Sequence, residues 1–146
     1  MRQHAHRAHG DWAQPIYAGD QTLRRVSQVV QGFARRPLDI AARYGGEEFV
    51  IALFDLEADA VRDIAEQLRK SIHALNIMHE DSATALYVTA SVGVSIIFPR
   101  PGRSPEGAVQ LADEALYSAK RSGRNSIAVV DTEYTTFSTG SFRRRA

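Results

Sequence analysis

Two glycines and two glutamates, Gly45 to Glu48, stand directly before the apolar run from Phe49 to Phe54. Backbone without side chains lets a phosphate approach closely, and a neighbouring carboxylate can hold Mg²⁺, which prefers oxygen ligands and keeps phosphates and waters as its other partners. Magnesium that bridges a triphosphate promotes attack by a hydroxyl on the α-phosphorus. The four residues therefore indicate a phosphate and metal site, although a tight hairpin turn with solvated glutamates would explain the same pattern.

This chemistry also needs basic residues for the outer phosphates, and the stretch ADEALYSAKRSGRN supplies two of them. Lys120 ends a helical pattern, and Arg124 follows the turn at Gly123. Cations at the C-terminus of a helix also favour the helix dipole, so a purely local role would account for both residues as well. The spacing alone leaves the two interpretations open.

The composition excludes several classes of protein. The 146 residues suit one domain, and 44% hydrophobic and 24% charged residues are ordinary for a globular protein. There is no cysteine, which excludes disulfides, zinc–thiolate sites and thiol nucleophiles. No apolar run approaches the roughly 18 residues of a membrane span. We therefore expect a cytoplasmic protein with no membrane segment. The formal net charge of +1 says little about partners, and we expect no nucleic acid among them.

Hydrophobic periodicity predicts the elements that must position these residues. Helical spacing predicts helices near residues 20–36, 57–75 and 104–120, and β-type runs predict a hairpin around the two glycines and strands over 86–98 and 126–130. The order α-β-β-α-β-α-β predicts an α+β fold, with a mostly antiparallel central sheet flanked by helices.

The middle of that sheet is expected to hold residues 49–54 and 88–98, because the first run is apolar on both faces and the second alternates. Ser104 and Pro105 resemble an N-cap and a first helical position. We divide the chain into an irregular N-terminal segment, 1–16, one domain, 17–131, and a disordered tail, 132–146.

Four motifs follow one another in the order AGDQTLRRV, RYGGEEF, VTASVGVS and ADEALYSAKRSGRN. Through them, the segment from about Tyr17 to Val130 resembles the GGDEF family of diguanylate cyclases, in its GGEEF form. The resemblance implies a palm-like fold related to adenylate cyclases. It also implies a Mg²⁺-dependent reaction in which two GTP condense to cyclic di-GMP and two pyrophosphates. Each domain of that family holds one GTP, so the implied catalyst is a homodimer with two domains face to face.

The same resemblance implies roles for individual residues. Glu47 would be the metal-binding carboxylate of the signature turn, with Glu48 beside it as the second catalytic residue. The implied substrate-binding residues are Asp20 for the guanine edge, Gly45 and Gly46 for close approach of the nucleotide, and Lys120 and Arg124 for the β and γ phosphates.

The N-terminal segment departs from the family pattern. The family begins with a strand that reads D-x-D-x-F-K-x-x-N-D, and its first Asp is the second metal ligand. Counting back from Asp20 without gaps, that Asp falls on Gln3 and the Asn of the pattern falls on Asp11. Because one of two carboxylates is missing from the expected place, we expect weak or absent turnover of GTP, as in a truncated or degenerate member.

A second candidate site is RPLD, from Arg36 to Asp39, which ends five residues before Gly45. It matches the R-x-x-D inhibitory site of the family, which implies that both residues bind cyclic di-GMP. A guanidinium can make two hydrogen bonds to a guanine edge or stack on the base. The family often adds a distant arginine, and Arg69, close to the equivalent position Gln67, is the candidate here. A surface ion pair at a helix–strand junction is the simpler alternative.

Three hypotheses therefore remain. The chain binds cyclic di-GMP at Arg36 and Asp39 with impaired catalysis, or it is a catalytically active homodimeric cyclase, or it is a structural partner domain that binds neither nucleotide. Its partners under the first two are cyclic di-GMP and GTP.

Overall fold

The helices and strands follow one another in the predicted order. The structure, a computed structural model, describes residues 13–79, 85–102 and 104–132. The elements are α1 (Ala13–Gln31), β1 (Ile40–Gly45), β2 (Glu48–Ala52), α2 (Ala58–His73), β3 (Val92–Ile96), α3 (Pro105–Arg121) and β4 (Ile127–Asp131). The α+β class is confirmed. The predicted tail beyond Thr132 and the first part of the N-terminal segment, up to residue 12, lie outside the described residues.

The first helix begins earlier than the sequence pattern indicates. It starts at Ala13, so that residues 13–16, predicted as irregular, belong to α1, and Asp20 lies within the helix. Pro15 does not prevent this, because the amide groups of a first helical turn have no partner in the helix and a missing N–H costs nothing there. The helix ends at Gln31, short of the predicted end near residue 36.

The predicted hairpin is present and carries the signature turn. Strands β1 and β2 are antiparallel, with Arg43 opposite Phe49 and Gly45 opposite Glu48. A shift of register between the two pairs marks a bulge, which leaves Gly46 and Glu47 as the turn. The hairpin thus places the two glutamates at one end of the ladder.

The other two strands pair in parallel and are joined by α3. Val92 lies opposite Ile127, and Ile96 lies opposite Asp131. Within the described residues, the strands form two separate two-stranded ladders, β1–β2 and β3–β4, rather than one mostly antiparallel sheet. Alternation of apolar residues fixes the face that a strand buries, but it does not fix the neighbour or its direction. This is why the pairing differs from the expectation.

Strand β3 is also shorter than the predicted run of residues 86–98. Ahead of it, Met78 and Tyr87 form an isolated antiparallel bridge, and the Val88 amide donates to the Ile77 carbonyl at 2.8 Å. The first part of the alternating run therefore pairs with the segment after α2 instead of extending β3.

Helix α3 packs closely on β3 through a glycine. A Cβ at Gly93 would lie 2.2 Å from the Ala112 carbonyl oxygen and 2.3 Å from the Leu116 nitrogen, so only glycine fits between the strand and the helix backbone. The helix begins as predicted, with Pro105 at its first position and the Ser104 hydroxyl accepting from the Gly107 amide at 3.1 Å. Gly93 and the Ser104 cap thus fix where α3 lies and where it starts.

The main core lies between α1, α2 and the hairpin. Its buried members are Val26, Val30, Leu68 and Ile72, against which Phe49 and Ile51 of β2 pack. Every buried side-chain nitrogen and oxygen in the described part of the chain has a hydrogen-bond partner. Among the described helices, none is long and apolar enough to cross a membrane.

Candidate functional site

The signature turn, Gly45 to Glu48, is exposed, and its two glycines carry no side chain. Gly45, Gly46, Glu47 and Glu48 are all exposed. Neither glycine is among the described residues with positive φ, and a Cβ at Gly46 would meet nothing within 4 Å. The fold of the turn and its packing therefore do not require glycine at this position. This observation favours the interpretation in which the backbone is left open for an external group.

Arg43, in strand β1 of the hairpin, binds a backbone carbonyl of the turn. Arg43 donates to the Gly46 carbonyl oxygen from Nε at 2.9 Å, and its Nη2 contacts the same oxygen. One carbonyl of the turn is thereby satisfied by a residue of the hairpin itself.

Helix α3 brings Lys120, a predicted phosphate-binding residue, next to the signature turn. Lys120 Nζ lies 3.6 Å from Glu48 Oε1, and both side chains are about half exposed, at 44% and 47%. Two motifs that lie far apart in the sequence thus meet in space. Arg124 is exposed and follows α3 in a left-handed conformation, with φ of 61°. Lys120 therefore contacts the acidic turn as well as ending its own helix, and its binding of phosphate stays a prediction.

An open cavity lies between α1 and the hairpin. Its volume is about 260 Å³, close to the lower end of the roughly 300–1,000 Å³ that small-molecule sites occupy. Its lining includes Asp20, Leu23 and Arg24 of α1 and Ala42, Arg43 and Phe49 of the hairpin. Asp20 pairs with Arg24 at 3.1 Å and remains exposed. The predicted guanine-binding carboxylate therefore borders a cavity next to the hairpin that carries the signature turn.

The donor set fits magnesium only in part. In the residues that the structure describes, no group of three or more His, Cys, Asp or Glu side chains is arranged around one metal position. Magnesium is usually held by one or two carboxylates together with phosphates and waters. Glu47 is the exposed carboxylate that fits this requirement, whereas Glu48 already pairs with Lys120.

The RPLD motif forms a closed turn between α1 and β1. Asp39 Oδ2 accepts from the amides of Arg35 and Arg36 at 3.2 and 3.0 Å, and Asp39 Oδ1 accepts from Arg36 Nη2 at 3.0 Å. Asp39 is only 3% exposed. The hydrogen bond from the Arg36 side chain holds the pKa of the Asp39 carboxyl below its usual range. The two residues therefore form an ion pair at this helix–strand junction, with a covered carboxylate and a partly exposed guanidinium, and their binding of cyclic di-GMP stays a prediction.

The outer edge of the Arg36 guanidinium faces the chain after β2. Its Nη1 donates to the Asp55 carbonyl at 3.1 Å, and its Nη2 contacts the Phe54 carbonyl. The Arg36 side chain is 39% exposed. These two carbonyl partners could not be predicted from the sequence, because any residue type offers the same backbone oxygen.

Arg69 is engaged elsewhere. Its Nε and Nη2 donate to the two carboxylate oxygens of Glu66 at 2.9 and 2.6 Å, and its Nη1 donates to Asn125 Oδ1 at 2.6 Å. Its side chain is 17% exposed. The prediction that Arg69 assists Arg36 stays a prediction, and it would require these bonds to break. Sequence reasoning missed Glu66 and Asn125, and the only signal was that Asn125 directly follows Arg124.

Comparisons with known proteins show which family the chain belongs to. Residues 17–126 match the family described as "Diguanylate cyclase, GGDEF domain". The chain is 34% identical over 128 residues to the probable diguanylate cyclase DgcT of Escherichia coli K12, and 39% identical over 110 residues to the response regulator PleD of Caulobacter vibrioides. These matches cover 88% and 75% of this chain, but only 27% and 24% of the relatives. The chain thus spans about a quarter of their length.

Solved structures show the same relationship. The coiled coil and GGDEF domain of DgcB from Caulobacter crescentus, in complex with c-di-GMP, matches with a TM-score of 0.66 and 30% identity over 82% of this chain and 61% of that chain. The diguanylate cyclase SiaD of Pseudomonas aeruginosa, in complex with its activator SiaC, matches with a TM-score of 0.59 and 31% identity, over 83% of this chain and 46% of that one. The chain therefore belongs to the GGDEF family of diguanylate cyclase domains.

Proposed function

We propose that this chain acts in cyclic di-GMP signalling by binding cyclic di-GMP through Arg36 and Asp39, and that it turns over GTP weakly or not at all. The observation that carries the first part is the preformed Arg36–Asp39 pair. A ligand that meets a guanidinium already fixed in orientation loses less entropy on binding than one that must order a free side chain. The enclosed Asp39 supplies that orientation.

The remaining contacts of Arg36 are the ones that a ligand would replace. The two backbone carbonyls of Phe54 and Asp55 are neutral acceptors on exposed contacts. Their bonds to the guanidinium are weaker than those to Asp39, because in the latter both partners are charged. We therefore expect a guanine edge to take the place of the carbonyls while the Asp39 pair persists, so that Asp39 acts mainly by holding the arginine.

Apolar surface next to the arginine suits a purine base. Leu38, inside the motif, is 69% exposed, and Phe54 is 47% exposed. Burial of such side chains against a planar ligand is favourable at about 25 cal/mol per Å². The DgcB structures, which resemble this chain, were solved in complex with c-di-GMP. This supports the choice of ligand.

Calorimetry on two matched variants tests the binding site. Arg36→Ala should weaken binding of cyclic di-GMP by about 1–3 kcal/mol, the value of a good bidentate contact to guanine. Arg35→Ala is the control, because the Arg35 side chain donates to the neighbouring Gly32 carbonyl and lies over the Phe33 ring, while its amide still donates to Asp39. It should bind as the parent chain does.

A further variant separates this site from the signature turn. Glu47→Gln should leave the affinity for cyclic di-GMP nearly unchanged, because Glu47 is not among the contacts of Arg36 and Asp39. No binding by the parent chain, or an equal loss in Arg36→Ala and Glu47→Gln, would show the proposal to be wrong.

An active homodimeric cyclase is the second candidate, favoured by the contact between Lys120 and Glu48. That contact brings the acidic turn and a cation together next to Gly45 and Gly46, beside the cavity that Asp20 lines. In this function, Asp20 would bind guanine, Lys120 and Arg124 would bind the outer phosphates, and Glu47 would hold Mg²⁺. When bound, the metal would neutralise charge on the phosphates. Our choice of impaired turnover depends on Gln3, which stands where the family pattern has its other metal ligand.

Turnover of GTP with Mg²⁺ decides between the two candidates. We expect the parent chain to form little or no cyclic di-GMP, because loss of a metal ligand can cost several kcal/mol of transition-state stabilisation and each 1.36 kcal/mol is about tenfold in rate. Robust synthesis by the 146-residue chain would favour the active cyclase. In that event Glu47→Gln should abolish the activity, and Arg35→Ala should retain it.

A further inference from the structure

The turn between α3 and β4 has an unusual backbone. Gly123, Arg124 and Asn125 follow one another in the left-handed region, with φ of 111°, 61° and 44°. Glycine adopts this region freely, asparagine tolerates it, and a residue with a longer side chain is disfavoured there. Arg124 is a predicted phosphate-binding residue. Its left-handed backbone conformation is one that arginine disfavours, so neighbouring contacts must stabilise it.

Hydrogen bonds hold this turn at both ends. The Arg124 amide and the Ser126 hydroxyl both donate to the Ala119 carbonyl, at 3.2 and 3.1 Å, which ties the turn to the last turn of α3. The Val92 amide donates to the Ser126 carbonyl at 2.9 Å, which ties it to β3. Asn125, between these anchors, is held by a side-chain contact.

That contact comes from α2. Arg69 Nη1 donates to Asn125 Oδ1 at 2.6 Å, from a residue 56 positions away in the sequence. Glu66 fixes the guanidinium through two bonds, at 2.9 and 2.6 Å, and the hydrogen bond from Arg69 lowers the pKa of Glu66 to about 2. The pair is therefore charged and rigid at neutral pH.

We propose that Arg69 is a positioning residue for the phosphate-binding turn: through Asn125 it holds the left-handed backbone from which the Arg124 side chain leaves, beside Lys120. The role follows from the geometry, because Glu66 orients Arg69, Arg69 binds Asn125, and Asn125 adjoins Arg124. This inference rests on the proposed binding of GTP phosphates by Lys120 and Arg124. The ligand it concerns is the triphosphate part of a nucleotide, not the base.

Two substitutions at one position provide the test. Asn125→Ala and Asn125→Gly both remove the contact with Arg69, but only glycine adopts the left-handed backbone freely. By calorimetry with Mg²⁺, Asn125→Ala should bind GTP about tenfold more weakly than the parent, the equilibrium effect of a disfavoured left-handed residue. Asn125→Gly should bind GTP within about twofold of the parent. Both variants should bind GMP like the parent.

Arg69→Gln provides an independent test of the same proposal, and Lys70→Gln is its control. Lys70 also pairs with Glu66, at 3.5 Å, but shows no contact with the turn among the described residues. Arg69→Gln should show the same selective loss of GTP affinity, and Asn125→Gly should restore that affinity in the Arg69→Gln background. Lys70→Gln should bind both nucleotides normally.

Several outcomes would overturn the inference. Equal losses in the alanine and glycine variants, together with unchanged binding of GTP by Arg69→Gln, would mean that the Asn125 side chain itself meets the ligand. Equal losses for GTP and GMP, together with a lower melting temperature, would mean that Arg69 only stabilises the fold. Unchanged binding of GTP by Arg69→Gln, with a parent chain that binds it, would refute this inference alone. If the parent binds neither GTP nor inorganic triphosphate, the proposed phosphate site fails, and this inference fails with it.

Discussion

At the scale of single residues, the pair of Glu66 and Arg69 makes the fold sensitive to acid. Hydrogen bonds from Arg69 are the main cause of the lowered pKa of Glu66, which falls from an ordinary value of 4.5 to about 2, and the charges of Arg69 and Lys70 add to it. A carboxyl whose pKa is lower in the folded state stabilises that state while it is ionised. The contribution is complete above about pH 4.5 and is lost as the pH falls towards 2.

Urea unfolding of the parent chain and of Glu66→Gln measures this contribution. At neutral pH the parent should have the higher free energy of unfolding, because glutamine cannot form a charged bidentate pair with Arg69. The difference should shrink as the pH falls from about 4.5 towards 2. Asp39 also has a lowered pKa, but it is present in both proteins and cancels in the comparison. A difference that stays constant over this range would contradict the assignment.

Contacts within one turn of chain could be predicted from the sequence, and distant ones could not. The spacing of Arg36 and Asp39 and the Ser104 cap are visible as patterns, and the structure contains both. The bond between Arg69 and Asn125 joins residues 56 positions apart, and neither residue type nor periodicity indicates it. The sequence therefore did not indicate that the three side-chain nitrogens of Arg69 bind Glu66 and Asn125.

At the scale of elements, the packing of α3 against β3 determines where Lys120 lies. The Cβ of an alanine at position 93 would come within 2.2 to 2.7 Å of backbone atoms of Ala112 and Leu116, which cannot move without moving the helix. Helix α3 would have to shift, and its end carries the lysine that meets Glu48. Packing on this strand and geometry at the signature turn are therefore coupled.

Gly93→Ala should consequently lower the free energy of unfolding by about 1–3 kcal/mol, as overpacking of a tight contact does. The matched control is Gly46→Ala, whose Cβ would meet nothing within 4 Å and which should leave stability almost unchanged. Chemical denaturation of both variants measures the effect. Equal stabilities for Gly93→Ala and the parent would mean that the helix and strand are less closely packed than described.

At the scale of the whole molecule, the order of elements could be predicted, but their assembly could not. The periodicity of apolar residues indicated three helices, a hairpin and two further strands, and the structure has them in that order. Alternation does not specify a strand's partner, so the parallel pair of β3 and β4 and the division into two ladders came only from the structure. The candidate phosphate site depends on that assembly, since Glu48 belongs to one ladder and Lys120 to the helix that spans the other.

The two ladders differ in how far apart along the chain their paired residues lie. The turn at Gly46 and Glu47 joins β1 directly to β2, whereas β3 and β4 pair residues on the two sides of α3, such as Val92 and Ile127. Closing a longer loop costs more entropy, and pairing between distant parallel strands is slow. We therefore expect the hairpin to form first and the β3–β4 pair later, and the contact between Glu48 and Lys120 to require both. A probe of that contact would report that the whole fold has formed, because the hairpin alone would not produce it.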